Sequence, residues 1–134
     1  MEIELHQKIN EICKKDRRFS VNAYFFILDA LRVSAREIRK KDADHSRHLS
    51  GQELSQGIKQ YAIKCFGCMS YTVMELWGIK KTADFGAIVY NLIEVGLLGK
   101  SGDDSIDDFN DIFDFNSAFL KPFQPSDIKG RKTS

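Results

Sequence analysis

Thr82-Ala83-Asp84-Phe85-Gly86-Ala87-Ile88-Val89-Tyr90-Asn91-Leu92-Ile93-Glu94-Val95-Gly96-Leu97-Leu98 is the stretch on which the reading of the whole chain turns. Taken as a helix over 83–95, it is apolar almost all round. Phe85, Ile88, Val89, Tyr90, Leu92, Ile93 and Val95 cover most of its circumference. Asp84, Asn91 and Glu94 are its only polar residues, and with Ala87 they fall at helical spacing on one narrow stripe. A helix wet along one stripe is packed on two or three sides, so this one is predicted to be central. Thr82 is its expected N-cap, and Asp84 in the first turn suits the helix dipole.

Working back from it, residues 51–66 carry the clearest start signal. Ser50-Gly51-Gln52-Glu53 fits a capping box, and Leu49 with Leu54 fits the hydrophobic staple. Leu54, Ile58, Tyr61, Ala62 and Cys65 are expected to face inward, and Gly67 to supply the left-handed terminating position. A short helix over 71–77 follows, with Ser70 as cap, a Met69–Met74 staple, Val73, Leu76 and Trp77 inward, and Gly78 as terminator. Further upstream, Leu5, Ile9, Ile12 and Cys13 mark an amphipathic helix over 2–15. Asp16-Arg17-Arg18 is the turn after it. Ser20 caps a heavily apolar helix over about 21–37, whose segment 24–28 taken alone also fits a buried strand. The charged residues 36–48 read as a surface loop.

Working forward, Gly99 to Asp104 is turn chemistry. Leu97-Leu98 and Ser105-Ile106 could pair across it as a hairpin. Residues 107–119 fit a helical turn through Phe109, Ile112 and Phe113, and a strand through Phe113 and Phe115, so one short element of each is expected. The expected fold is mainly α with a small β element: a five-helix single domain over 1–120, winged-helix-like in helix order over 50–106. Residues 121–134 read as a flexible tail.

Composition limits function more than it reveals it. The 134 residues are 43% apolar, with 10 Phe, which suits one domain with a sizeable core. No run of about 18 apolar residues exists to cross a membrane. The N-terminus lacks a secretory signal, and three cysteines without one suggest free thiols in the cytoplasm. Net charge is +1 but unevenly placed: +4 over 1–66, −6 over 67–120 and +3 over 121–134. Such asymmetry suits a partner protein or self-association, or two sides of one domain that neutralise each other.

The combination RHLSGQEL (47–54), Tyr61-Ala62, Phe66-Gly67, WGI (77–79) with Thr82, DFG (84–86), IVYNLIEVGLL (88–98) and DDFNDIFDF (107–115) resembles an uncharacterised bacterial family. The family is one of conserved hypothetical proteins in planctomycete and verrucomicrobial genomes, often called Minf-type. The resemblance spans roughly residues 20–120. It implies a small cytoplasmic bacterial protein and carries no activity or catalytic residues. This chain departs from the family pattern at Cys68, usually proline there, and at Cys65, usually not cysteine.

Four groups of residues are candidates for chemistry. Arg47 and His48, with Glu53 and Tyr61, suggest acid–base work, since histidine titrates near neutrality. The plainer reading is a loop anchored to the start of the third helix. Asp103, Asp104, Asp107 and Asp108, with Asp111 and Asp114, are dense enough to hold Ca²⁺ or Mg²⁺, but lack the EF-hand spacing and read equally as a solvated face. Cys65-Phe66-Gly67-Cys68 is a C-x-x-C placed at a helix C-terminus, where the dipole has the wrong sign to activate a thiol; zinc would need two further ligands. Asp84-Phe85-Gly86 matches the kinase triplet without any of its companion motifs. No cofactor is expected. A DNA reader is argued against: the third helix of a winged helix would present Asp84, Asn91 and Glu94 to phosphates, and the wing would set Lys100 against four aspartates. The function expected is therefore a protein–protein interaction module, ahead of a winged-helix DNA regulator and of a small enzyme built on His48.

Overall fold

The computed structural model describes residues 2–41, 50–99 and 105–123, with side chains over 4–37, 50–99 and 105–123. Five α-helices follow one another: α1 Glu2–Lys15, α2 Val21–Lys41, α3 Gly51–Phe66, α4 Ser70–Leu76 and α5 Thr82–Glu94. A 3-10 turn Gly67–Met69 joins α3 to α4, and among the described residues three single turns follow α5: a 3-10 turn Ile106–Phe109, a π turn Asn116–Leu120 and a 3-10 turn Lys121–Phe123.

α5 is the centre. Phe85, Ile88 and Leu92 are fully enclosed, Val89 and Ala87 nearly so, and the helix touches α1, α2, α3 and the 106–109 turn. Its polar stripe is not a wet one, which corrects the expectation. Asp84 is buried, and Asn91 donates through Nδ2 to both the Asp16 carboxylate and the Tyr24 hydroxyl, each at 3.1 Å. Of the three, Glu94 alone is exposed. The α1–α2 turn covers the stripe. There Arg18 grips Asp16 at 3.0 Å through Nε and 2.7 Å through Nη2, and lies over the Phe19 ring. Gly78, at φ 88°, lets the turn after α4 approach this one: a Cβ there would sit 2.1 Å from the Arg18 carbonyl oxygen. Trp77 then accepts the Ser20 N–H at 3.1 Å.

The capping box of α3 is present on both sides. Ser50 Oγ accepts the Glu53 N–H at 3.1 Å, and Glu53 Oε1 accepts the Ser50 N–H at 3.0 Å. Gly67 ends the helix at φ 53°, with its N–H to the Ile63 carbonyl. The staple partner Leu49 lies outside the described residues. α2 runs past the expected end at 37 to Lys41, through a stretch made mostly of arginine, glutamate and lysine, all good helix formers.

The helix starts at α4 and α5 differ from expectation. Ser70 is the first residue of α4 and caps no N–H; its hydroxyl bonds the Ala62 and Gly67 carbonyls instead, at 3.1 and 2.7 Å. Met69 is 52% exposed while Met74 is enclosed, so no staple closes there. Leu76, expected inward, is 77% exposed, because the buried face of α4 runs through Ser70 and Met74 and Leu76, two residues further on, lies on the opposite side. Thr82 is the first residue of α5 and its cap is replaced by Asp84, whose Oδ2 accepts the N–H of Lys80 at 2.8 Å and of Lys81 at 3.3 Å. Thr82 Oγ1 accepts the Ile112 N–H at 3.1 Å, which ties the C-terminal segment to the head of α5.

Among the described residues there is no strand. Leu97-Leu98 is a bend and Ile106 begins a 3-10 turn, so the expected hairpin and the wing of a winged helix have no counterpart there. The reason is local. Ser105 Oγ accepts the Asp107 N–H and Asp108 Oδ2 accepts the Ser105 N–H, at 3.1 and 3.2 Å, so capping uses the groups a ladder would need. Phe113 and Phe115 alternate without a strand: both rings meet Phe85 and Phe119 within about 6 Å, sealing the end of the core.

Candidate functional site

α2 and α3 pack antiparallel, and Gly57 of α3 brings them into close contact at Ser34. The outer face of α3 beside this crossing floors a groove of about 990 Å³. Gln52, Glu53, Gln56, Gln60, Tyr61 and Lys64 come from α3, Val33, Ser34 and Glu37 from α2, and Asn110, Asp111 and Ile112 from the C-terminal segment. That last lip is built deliberately. Asp111 holds φ 52°, a left-handed conformation that aspartate tolerates better than most residues. The Thr82–Ile112 bond fixes one side of it, and Asn110 N–H to the Asp107 carbonyl, at 3.0 Å, the other.

Of the acid–base candidates, Glu53 and Tyr61 line this groove, while Arg47 and His48 lie outside the described residues. Glu53 is committed to the cap of α3. Tyr61 rests its ring 5.3 Å from that of Phe26, and burial, with Cys65 beside it, raises the pKa of its hydroxyl. Eight residues of helix separate the two, a rise of about 12 Å, beyond direct proton transfer. A phenol held protonated and a carboxylate in a helix cap do not make an acid–base pair.

Among the described aspartates, Asp108 and Asp114 cap local turns and Asp107 pairs with a side chain. Asp107 Oδ1 accepts from Asn110 Nδ2 at 3.4 Å, Asp108 caps its own turn, and Asp114 Oδ2 accepts the Ser117 N–H at 3.0 Å. Asp103 and Asp104 lie outside the described residues. Among those described, no three metal-ligating side chains converge. Cys65 and Cys68 are free and exposed, and Cys13 is half-buried with its pKa raised by burial and by Asp16. Phe85 and Gly86 of the DFG triplet are core: a Cβ on Gly86 would stand 3.0 Å from Phe109.

Two arrangements escape a linear reading. Asp16, Arg18, Tyr24 and Asn91 form one polar network across 67 to 75 residues of chain, and nothing local in the sequence links them. Gln52, Gln56 and Gln60 recur every four residues on the groove side of α3, a signal that counting helical spacing on polar as well as apolar residues would have found. No family profile, no curated protein and no solved structure matches the chain.

Proposed function

We propose that this chain is a small cytoplasmic interaction module that docks another protein in the α2–α3 groove and performs no catalysis of its own. The observation that carries the reading is the groove itself. It is large, and it is lined mainly by hydrogen-bonding side chains on rigid helices. A surface of that kind suits recognition, whereas chemistry needs acid, base or nucleophile within reach of one another. Membership of the uncharacterised bacterial family belongs to the same proposal and assigns no residue. Burial of α5 weighs against the DNA-regulator alternative, because a covered helix has no face to offer a major groove. No described helix is long and apolar enough to cross a membrane. The test is affinity capture from lysate with the wild-type chain and with Gln56→Trp, which fills the groove from an outward position. A partner retained by the first and lost by the second is expected. Equal capture by both, or by neither, overturns the reading.

A further inference from the structure

We propose that the end of the molecule where the α1–α2 and α4–α5 turns meet is a second docking surface, one that takes an acidic peptide segment of a partner protein. Its cations are Lys14, Lys15, Arg17 and Arg18 from the first turn and Lys80 and Lys81 from the second, all exposed. The two sets are far apart in sequence, and backbone contacts bring them together. A Cβ on Gly78 would stand 2.1 Å from the Arg18 carbonyl oxygen, and the Ser20 N–H reaches the Trp77 carbonyl at 3.1 Å. Arg18 also feels the Asp84 carboxylate, which holds the Lys80 and Lys81 N–H groups. None of these residues lines the α2–α3 groove.

The carboxylates among these cations are already engaged. Asp16 is gripped by Arg18 and accepts from Asn91, and Asp84 is buried at the head of α5. Lys14, Lys15, Arg17, Lys80 and Lys81 make no ion pair with any described residue. Glu11 and Glu75, on the helices leading into the two turns, leave the excess positive. Such an excess attracts acidic side chains.

The form of the partner follows from what borders the cations. The Thr82–Ile112 bond sets Asp111, and the acidic segment around it, beside the head of α5. A rigid duplex or a flat anionic membrane broad enough to cover both turns would bring its phosphates toward those carboxylates, which repel them. A short flexible acidic segment stays on the cations. Single-stranded nucleic acid would also need an exposed ring to stack on. Phe19 and Phe85 are enclosed, and Trp77 packs against Phe26 and Phe66.

The experiment uses the full chain and two fluorescein-labelled octapeptides, alternating glutamate with serine and alternating lysine with serine. A mixed-sequence DNA duplex and phosphatidylserine-containing vesicles are titrated alongside. Binding is read by anisotropy at low salt for the peptides and duplex and by co-sedimentation for the vesicles, and the backbone amide signals of Arg17, Arg18, Lys80 and Lys81 by NMR. The acidic peptide is expected to bind, to move these signals and to weaken as salt is raised. Lys80→Glu/Lys81→Glu should weaken it about tenfold with the melting temperature unchanged, and Arg17→Glu a few-fold. Lys64→Glu, in the groove, should leave it as it is. Binding that ignores the charge reversal at Lys80 and Lys81, equal binding of the basic peptide, or no movement of these signals overturns the inference. Duplex or vesicles bound more tightly than the peptide, and lost in the same variant, overturn the choice of partner. The capture comparison with Gln56→Trp decides the groove reading separately.

Discussion

Gly57 of α3 lies so close to Ser34 of α2 that a Cβ on it would stand 2.1 Å from the serine Oγ and 2.5 Å from its Cβ. Rotating the hydroxyl cannot relieve the second contact. Gly57→Ala gains about 1 kcal/mol of helix propensity but must push the helices apart, at about 1–3 kcal/mol. Net destabilisation is expected, with part of it recovered in Ser34→Gly/Gly57→Ala. Denaturant melts of the four proteins in a double-mutant cycle measure the coupling; additive effects would show that the helices are not held by this contact.

Asn91 joins α5 to the α1–α2 turn, so Asn91→Leu strips the enclosed Tyr24 hydroxyl and the Asp16 carboxylate of a shared donor. A loss of about 1–3 kcal/mol is expected. The same network has a pH signature at both ends. Hydrogen bonds from Arg18 hold Asp16 well below the usual carboxylate range, so the folded chain binds this proton less readily than the unfolded one. Its stabilisation is complete above the unfolded value of about 3.9 and is lost as pH falls through the lower folded value. Burial pushes Tyr24 up to about 12. Its contribution is complete below the unfolded value of about 10 and is lost as pH rises toward the folded one. Comparing wild type with Asp16→Asn should show their stability difference shrinking in acid, and Tyr24→Phe should blunt the alkaline loss. Parallel pH profiles for wild type and each variant would sink the assignment.

Thr82 is predicted to matter for what it anchors and not for helix initiation. Thr82→Val keeps the shape and removes the acceptor for the Ile112 N–H, at about 1 kcal/mol. Amide exchange should accelerate locally at Ile112 and its neighbours, with α5 itself unaffected. Fraying of α5 with no change at Ile112 would restore the capping role expected of this residue.

A mixed-sequence DNA duplex titrated at low salt, where charge attraction is strongest, should show no micromolar binding that depends on Lys80 or Lys81. Both are exposed, but they stand at the head of a helix whose body is enclosed. Affinity that falls steeply with salt and drops in Lys80→Ala or Lys81→Ala would favour a regulator.

How much of this was legible in the residues depended on range. The extents of α1 and α3, the capping box at Ser50 and Glu53 and the central place of α5 all rest on signals within a few residues, and all were readable. Thr82, Ser70 and Leu76 depart from their local signals because each residue suits two uses. A threonine can cap or can accept from a distant amide, and in a two-turn helix the choice of buried face, here Ser70 and Met74, decides whether Leu76 points in or out. The polar stripe of α5 is legible but its burial is not, since nothing near Asn91 announces that Tyr24 and Asp16 will meet it. Of the site, Glu53 and Tyr61 stand out in the sequence as titratable residues, yet the groove they share with Gln56 is a product of the α2–α3 crossing, which Gly57 alone does not reveal.

Gly51 faces Asp108, with a Cβ placed 2.9 Å from it, and Gly86 faces Phe109, so the seam between α3 and α5 is closed by residues made after both helices. On the ribosome, α5 would emerge with Phe85 still lacking Phe113, Phe115 and its share of the seal. A nascent chain stopped before residue 105 therefore lacks the residues that close this seam, and the Phe85 end of α5 stays open until they are made, even with α1, α2 and α3 in place.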